Sequence, residues 1–357
     1  MTGTSPTARQ RELGTRMRGL RNEHNMTVEE VAERLLCSAT KISRLETGAR
    51  RPSLRDVRDL CELYEVDEST SAELMSLARE ARAAGWWTQY NDLNLDPLIG
   101  LEEAATDITC YAMNYIPGLL QTREYAQGII ETIAPKMNPR IVAQRVEARL
   151  RRQQVLEGDS PPRYQVLLDE SVLRRGVGGP MLMAAQIDKV LAAVARGKAI
   201  AQIIPFDAGA YVAADGYFVL LEFAEGSDLW PVVFIEGLAG NQYLDRKVDI
   251  ARFRETIDYL RARALSSADS VELMTRVRNI LRQQGNNYAR GLRLEPRKEC
   301  ACRLQGIWTG AFPGPVTMAS ALRLHATAIL SLSATPVVRK GPSGSSPSMS
   351  GVIFWPE

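Results

Sequence analysis

The sequence predicts an all-α N-terminal domain of five helices, followed by an α+β domain with a small sheet. Two observations support this fold class. Apolar residues recur every three or four positions through residues 9–81, whereas residues 85–285 mix helical periods with short runs of branched and aromatic residues. We place the first domain at residues 1–84 and the second at residues 85–285, and we treat residues 286–357 as a separate segment.

The composition is that of a globular protein without a membrane span or a disulfide framework. Hydrophobic residues make up 45% of the 357 residues, which is enough for ordinary cores in two domains. No stretch approaches the roughly 18 apolar residues of a membrane span, and the first residues lack the apolar segment of a signal peptide. We therefore expect a cytoplasmic protein with no membrane partner. The five cysteines do not suit a disulfide framework, and Cys300 and Cys302 lack a second pair for zinc, so we expect no metal and no cofactor.

Positive charge is concentrated in two short segments. Residues 9–21 contain five arginines and one acid, and residues 41–58 contain six basic residues and two acids. The segments either form one positive face for phosphate or are two ordinary solvated helix faces. In the first helix the apolar residues recur at Leu13, Met17 and Leu20 and should form its buried side. In either case we expect the arginines of this helix on its solvent side.

The second and third helices are short and close together in sequence. Thr27 and Glu30 have the spacing of a capping box, Ser38 is a good N-cap for the next helix, and Gly48 marks its end. Two short helices joined by a few residues indicate a helix-turn-helix, whose second helix enters the major groove of DNA. A three-helix protein-interaction bundle is the alternative. The apolar positions are Val28, Val31, Ala32 and Leu35 in the first of these helices and Ile42 and Leu45 in the second.

The run "TVEEVAERLLCSATKISRLETGARRPSLRDVRDLCELYEV" resembles the Xre/Cro/C1-type helix-turn-helix domain. That family has a Ser-x-x-x-Ile-Ser-x-Leu-Glu-x-Gly recognition helix, and the likeness covers about residues 9–81. It implies that Arg21 and Glu46 form an ion pair that joins the first helix to the recognition helix. Val28 stands where the family usually has a glutamine that touches the phosphate backbone, which removes the basis for that contact.

The resemblance also implies which residues meet DNA. Arginine can bond O6 and N7 of guanine, and the methyl groups of alanine or threonine can contact the thymine methyl, whereas phosphate contacts set register. Because each helix-turn-helix reads only a half-site, we expect a homodimer on double-stranded DNA. The base-reading positions are Ala39, Thr40, Lys41 and Arg44, and the phosphate-contacting positions are Ser38, Ser43, Arg50, Arg51 and Ser53.

The second domain begins near Gly85, and its elements alternate. Trp86 and Trp87 are expected to pack the linker onto this domain, with an aromatic ligand platform as the alternative. Four strands are predicted from "RYQVLLD", "AIAQIIPF", "GYFVLLEF" and "WPVVFIEG". Helices are predicted at residues 141–154, 181–197 and 248–265, and the last of them is expected to end the domain. The basic helix 141–154 is more readily a solvated face than a second nucleic-acid surface.

Further motifs in this region carry a second resemblance. "NYIPGLLQTREYAQ", "VLLDESVLRRGVGGPMLMAAQ", "IIPFDAGAYVAADGYFVLLEF" and "VVFIEG" resemble the domain of unknown function DUF5753, which follows this type of helix-turn-helix in Scr1-like, antitoxin-type bacterial regulators. The likeness covers about residues 87–283. It implies a sequence-specific transcriptional regulator that acts with a small partner protein encoded nearby.

Catalysis is not expected in the second domain. It contains no histidine, since His24 and His325 lie outside it, so a Ser-His or Cys-His nucleophile is excluded there. A carboxylate pair is the remaining route. A sensory or dimerising domain is therefore our first hypothesis, and an enzyme or ligand-processing domain tethered to a DNA-binding module is the alternative. The acids near predicted strand ends are Asp169, Glu170, Glu222 and Glu236.

The last segment, residues 286–357, differs in composition. It has few acids, no strong helical period, and a terminus rich in Gly, Ser and Pro. We expect a mostly disordered tail, and a basic DNA-binding tail is the alternative.

Overall fold

A computed structural model describes residues 5–90, 96–212, 216–237 and 240–293 of the chain. These residues belong to one compact unit that ends at Arg293. The expected tail beyond that residue, with Cys300 and Cys302, lies outside the described residues. The predicted fold class is confirmed: an all-α domain precedes a domain of helices and a six-stranded sheet. In the part of the chain that the structure describes, no helix has both the length and the hydropathy needed to cross a membrane.

The N-terminal domain has five helices, each of which starts at a polar cap. The side chains of Ser5, Thr27, Ser38, Ser53 and Asp67 each accept a hydrogen bond from a backbone N–H of the first turn. Thr27 and Glu30 form the predicted capping box. One apolar cluster joins all five helices. The helices are α1 (Pro6–Glu23), α2 (Val28–Arg34), α3 (Ala39–Glu46), α4 (Leu54–Leu63) and α5 (Glu68–Ala81).

The tryptophans after α5 connect the two domains. Trp86–Gln89 is a single 3₁₀ turn in which Trp87 is buried. Trp86 Nε1 donates to Glu103 Oε1 at 2.7 Å, and the Arg151 guanidinium lies 4.5 Å from the Trp86 ring centroid. These contacts agree with the interpretation that the tryptophans pack the linker onto the second domain.

The sheet has the order β3-β2-β1-β4-β5-β6. Strands β1, β2 and β3 are mutually parallel, and the pairings β1–β4, β4–β5 and β5–β6 are antiparallel. All four predicted strands are present, and the structure adds β1 and β6. The bounds are β1 (Asp107–Ala112), β2 (Arg163–Asp169), β3 (Ile200–Ile204), β4 (Phe218–Glu222), β5 (Val232–Ile235) and β6 (Gln242–Leu244).

Helices cover both faces of the sheet. One apolar cluster joins the first face to α7, α10 and α12, and another joins the opposite face to α11. Short 3₁₀ turns at Gly118–Leu120, Gln153–Leu156 and Phe206–Ala208 link these elements. The helices are α6 (Asp96–Ala104), α7 (Arg123–Ile133), α8 (Pro139–Arg152), α9 (Ser171–Arg174), α10 (Pro180–Ala195), α11 (Lys247–Arg263) and α12 (Ser267–Arg293).

Helix α12 was missing from the sequence-based expectation. We expected the domain to end with the helix at 248–265, but a further helix of 27 residues follows it and continues past the expected edge at residue 285. Met274 and Val277 are buried against the sheet domain, and Ile203 N donates to Ser270 Oγ at 2.9 Å. This helix is therefore an integral part of the second domain.

Candidate nucleic-acid interface

Helices α2 and α3 form a helix-turn-helix with a tight turn between them. The turn is closed by backbone hydrogen bonds from Leu36 N to Glu33 O at 3.1 Å and from Cys37 N to Ala32 O at 2.8 Å. Leu36 has φ 48° and its side chain is 95% exposed. Ser38 Oγ then accepts from Lys41 N, which starts α3 in a fixed direction.

Helix α3 buries one side and exposes the other. Ile42 and Leu45 are buried in the core of the N-terminal domain. Thr40, Ser43 and Arg44 are exposed, and their spacing of three and four residues places them on one face of the helix. This face can therefore enter a groove of DNA without disturbing the core.

Two of the predicted base-reading residues are less exposed than expected. Ala39 is half-buried and packs against the apolar core. Lys41 Nζ lies 2.6 Å from Asp56 Oδ1, so its charge is paired with α4. To reach a base, Lys41 would first have to leave that carboxylate. Thr40 and Arg44 are therefore the better-placed members of the predicted set.

The loop after α3 supplies free positive charge. Arg50 and Arg51 are exposed, as is Arg44, and these three guanidinium groups have no hydrogen bond or ion pair with any other residue that the structure describes. Ser53 Oγ accepts from Asp56 N at 3.0 Å, as Ser38 does at α3. Because each hydroxyl uses a lone pair in the cap, its hydrogen stays available to a phosphate oxygen. Four of the predicted phosphate-contacting residues, Ser38, Arg50, Arg51 and Ser53, thus flank the exposed face of α3, and the fifth, Ser43, lies on that face.

A bidentate ion pair holds α3 against α1. Arg21 Nε lies 2.7 Å from Glu46 Oε1, and Arg21 Nη2 lies 3.0 Å from Glu46 Oε2. The Glu46 side chain is only 5% exposed. The hydrogen bond from Arg21 to Glu46 raises the pKa of the guanidinium, and Arg21 Nη1 also donates to Met26 O at 2.8 Å. The pair orients the recognition helix relative to the rest of the domain.

Three further arginines of α1 are partly buried and paired with acids, which corrects our expectation that they lie on the solvent side of this helix. Arg9 pairs with Glu12 and Glu80 within the N-terminal domain. Two others reach acids of the C-terminal domain: Arg11 Nη1 lies 3.4 Å from Asp245 Oδ2, and Arg16 Nε lies 2.7 Å from Asp228 Oδ2. Burial lowers the pKa of Arg11, and Asp245 partly offsets that effect. Helix α1 therefore contributes less free positive charge to the surface than the sequence predicted.

Asp228 and Asp245 were not singled out from the sequence. Each is an ordinary acid in a segment of the second domain, more than 200 residues away from its arginine along the chain. The available signal was indirect: a helix with five arginines and only two acids needs acids from elsewhere if its arginines are to be buried.

The four carboxylates considered for catalysis do not converge. Asp169 accepts hydrogen bonds from the Tyr211 hydroxyl and from Ser171 N, and Glu170 Oε1 lies 2.7 Å from Arg174 Nη2. Glu222 ends β4, which runs antiparallel to β1, and pairs opposite Asp107. Glu222 therefore lies at the opposite end of the strands from Asp169, which ends β2. Glu236 follows β5, three strand positions from β2, or about 14 Å at the usual strand spacing.

Comparisons with protein families match both domains. The model for "Domain of unknown function (DUF5753)" matches residues 95–276, and the model for "Helix-turn-helix domain" matches residues 12–74. The comparisons with curated proteins and with solved structures found no match.

Proposed function

The chain belongs to the DUF5753 family, and we propose that it is a sequence-specific DNA-binding transcriptional regulator with no catalytic activity of its own. One observation carries this proposal: the exposed face of α3 carries Arg44 in its last turn, and two further unpaired arginines follow in the next loop. In a helix-turn-helix, such a face reads base edges while its flanks hold phosphates. The Xre/Cro/C1-type assignment is part of the same proposal, as is action in the cytoplasm.

The side chains suit their proposed roles. Arg44 can make two hydrogen bonds to one guanine, which is worth about 1 to 3 kcal/mol of discrimination between bases. Arg50, Arg51 and the hydroxyls of Ser38 and Ser53 contact phosphate and set the register of α3 in the groove. Within the described residues, Arg9, Arg11, Arg16 and Arg21 of α1 are held by acids, and this supports assigning DNA contact to α3 rather than to α1.

We further propose that the regulator binds DNA as a homodimer. One α3 covers only a few base pairs, and two copies related by a two-fold axis read a palindromic site about one helical turn apart. Sedimentation of the protein with and without DNA tests this. A single copy on a single half-site, at saturating protein, would contradict it.

The C-terminal domain is proposed to modulate DNA binding in response to a ligand or a small partner protein encoded nearby. The contacts Arg11–Asp245 and Arg16–Asp228 support this because they tie α1 directly to the second domain. Since α1 is in turn tied to α3 through Arg21 and Glu46, a change in the second domain has a physical route to the reading helix.

Genome-wide mapping of binding sites tests the proposed function most directly. We expect a small set of sites that share a two-fold symmetric sequence, and purified protein should prefer that sequence to scrambled DNA by at least about 1,000-fold. Equal affinity for both DNAs would contradict sequence-specific regulation. Turnover of a small molecule by the purified protein would instead favour the tethered-enzyme alternative.

A further inference from the structure

A cavity of about 370 Å³ lies where the two domains meet. Its walls are α1, the last residues of α3, and a segment of the second domain that includes Trp230 and Lys247. Cavities of a few hundred Å³ at domain junctions are common binding sites for small molecules. Glu46, the last residue of the recognition helix, and Thr47, which follows it, form part of the wall.

The walls carry more positive than negative charge. Four cations and two acids line the cavity, and both acids are already paired: Glu46 with Arg21, and Asp245 with Arg11. Three cations remain. Arg18 donates only to the backbone oxygen of Glu46 at 3.3 Å and lies 3.8 Å from its carboxylate, Arg246 pairs with the neighbouring Asp249, and Lys247 has no acid partner among the described residues. A small anion could accept charge-assisted hydrogen bonds from these three cations.

An aromatic ring stands beside the cations. The Trp230 side chain is 49% exposed at the cavity wall, and Lys247 Nζ lies 5.0 Å from its ring centroid. A half-exposed indole leaves apolar area in water, and it can recover that area by stacking on a planar group. An exposed indole beside Lys247, which has no acid partner among the described residues, with Arg18 and Arg246 on the same walls, fits a ligand that has both a ring and negative charge.

Gly19 keeps the opposite wall open. It lies inside α1, where glycine costs about 1 kcal/mol relative to alanine. An added Cβ at Gly19 would meet no atom within 4 Å, so packing does not demand glycine there. The contrast with Gly14 is clear, since a Cβ at Gly14 would come within 2.6 Å of Leu45 O. Gly19 is therefore a helix-weakening residue whose visible effect is to leave space in the cavity.

From these observations we propose that the cavity binds a nucleoside phosphate, with its phosphates on Arg18, Arg246 and Lys247 and its base against Trp230. A nucleoside phosphate in this cavity would be the ligand through which the C-terminal domain modulates DNA binding. That regulatory role rests on the function proposed above. The binding step itself is independent of DNA.

Isothermal titration of the full-length protein with four probes tests the site: ADP, GDP, inorganic pyrophosphate and adenosine. At least one diphosphate nucleotide is expected to bind about tenfold or more tightly than pyrophosphate or adenosine, because it alone engages both cations and indole. If none of the four binds at millimolar concentration, the proposal is overturned. Pyrophosphate binding as tight as that of both nucleotides would overturn the role of the ring.

Matched variants locate the binding. Lys247→Gln should weaken the preferred nucleotide about tenfold through loss of a charge-assisted contact, whereas Arg252→Gln, an equal charge change at an exposed position of the same helix, should leave it unchanged. Gly19→Leu fills the cavity and should abolish binding, and Gly19→Ala should preserve it. Nucleotide binding that is the same in Lys247→Gln and Gly19→Leu as in the parent protein would place the ligand elsewhere.

DNA affinity of the same variants separates this inference from the proposed function. If the parent protein binds operator DNA but no nucleotide, the proposed nucleotide site is refuted and the proposed function is not. Nucleotide binding without any preference for operator DNA supports the site and contradicts the proposed function.

Discussion

Arg21 and Glu46 form a bidentate ion pair, with oxygen–nitrogen distances of 2.7 and 3.0 Å, that joins α1 to the end of the recognition helix. The Glu46 carboxylate is almost fully removed from water. The resemblance of the sequence to Xre-type domains implied the pair, but the burial of Glu46 makes its loss more costly than that of a surface pair.

Replacing Glu46 with alanine should therefore destabilise the protein by about 2 to 3 kcal/mol, because Arg21 would be left partly buried without its partner. Urea unfolding of full-length protein measures the change. Asp59→Ala is the matched control, since Asp59 pairs with the exposed Arg55, and its effect should stay below about 0.5 kcal/mol. An effect of Glu46→Ala as small as that of the control would mean that the pair contributes nothing.

Two glycines of α1 should respond oppositely to alanine. At Gly14 the new Cβ would lie 2.6 Å from Leu45 O and 2.7 Å from Glu46 O, so α1 and α3 would have to separate. We expect Gly14→Ala to cost about 1 to 3 kcal/mol. Gly19→Ala has free space and should instead stabilise the protein by about 0.5 to 1 kcal/mol. Thermal midpoints that shift in the same direction for both variants would refute this account.

Replacing Arg44 and Arg51 with alanine should change DNA affinity in different ways. Arg44→Ala is expected to lower operator affinity by roughly 1 to 3 kcal/mol and to relax preference at one base pair. Arg51→Ala should weaken all DNA sequences alike and reduce the salt slope by about one. Both variants are titrated against operator and scrambled DNA over a salt series. If Arg44→Ala weakens scrambled DNA as much as operator, Arg44 holds the backbone and does not read a base.

The Lys41–Asp56 pair should make stability depend on pH. Burial raises the pKa of Asp56, but hydrogen bonds from Lys41 and Ser53 together outweigh it, so its pKa in the folded protein lies below the ordinary 3.8. A lowered carboxylate pKa adds stability that is complete above the ordinary value and is lost as the pH falls through the folded value. The sensitive window is therefore below about pH 4.

Asp56→Asn should lower the free energy of unfolding at pH 7 by about 1 kcal/mol, and its difference from the parent protein should shrink below pH 4, where Asp56 itself becomes neutral. Unfolding at pH 7 and pH 3 measures both values. Asp59→Asn, at a more exposed pair, serves as the control. A difference that stays constant between the two pH values would show that Asp56 is not the titrating group.

Leu36 is strained in the turn before α3. Its φ of 48° lies in the left-handed region, which costs a non-glycine residue about 1 to 2 kcal/mol, and its exposed side chain has little packing to lose. Leu36→Gly should stabilise the protein by about 0.5 to 1 kcal/mol. Glu33→Gly, three residues earlier in α2, should instead destabilise it by about 1 kcal/mol. Destabilisation by both variants would mean that Leu36 makes contacts in solution that compensate its strain.

Local signals account for the part of the fold that was predicted correctly. The capping box of Thr27 and Glu30 and the cap Ser38 act within three residues of themselves, so they can be recognised without knowledge of the tertiary structure. The four predicted strands are rich in β-branched and aromatic residues, which favour strands in almost any sheet. Strand β1 was missed although Ile108, Thr109 and Tyr111 favour a strand, because it directly follows a stretch with a helical period and only its pairing with β2 and β4 on either side identifies it.

The sequence by itself determined the helix-turn-helix and the mixed character of the second domain, because periodicity and capping act over one or two helical turns. Its resemblance to Xre-type domains also implied the positions Thr40 and Arg44. Only the tertiary structure decided which cations are free. Lys41 is held by Asp56, and Arg16 is held by Asp228 from the second domain, whereas Arg44 has no partner among the described residues. The physical reason is that an ion pair acts over a few ångströms in space, and sequence separation does not limit which acid meets which base.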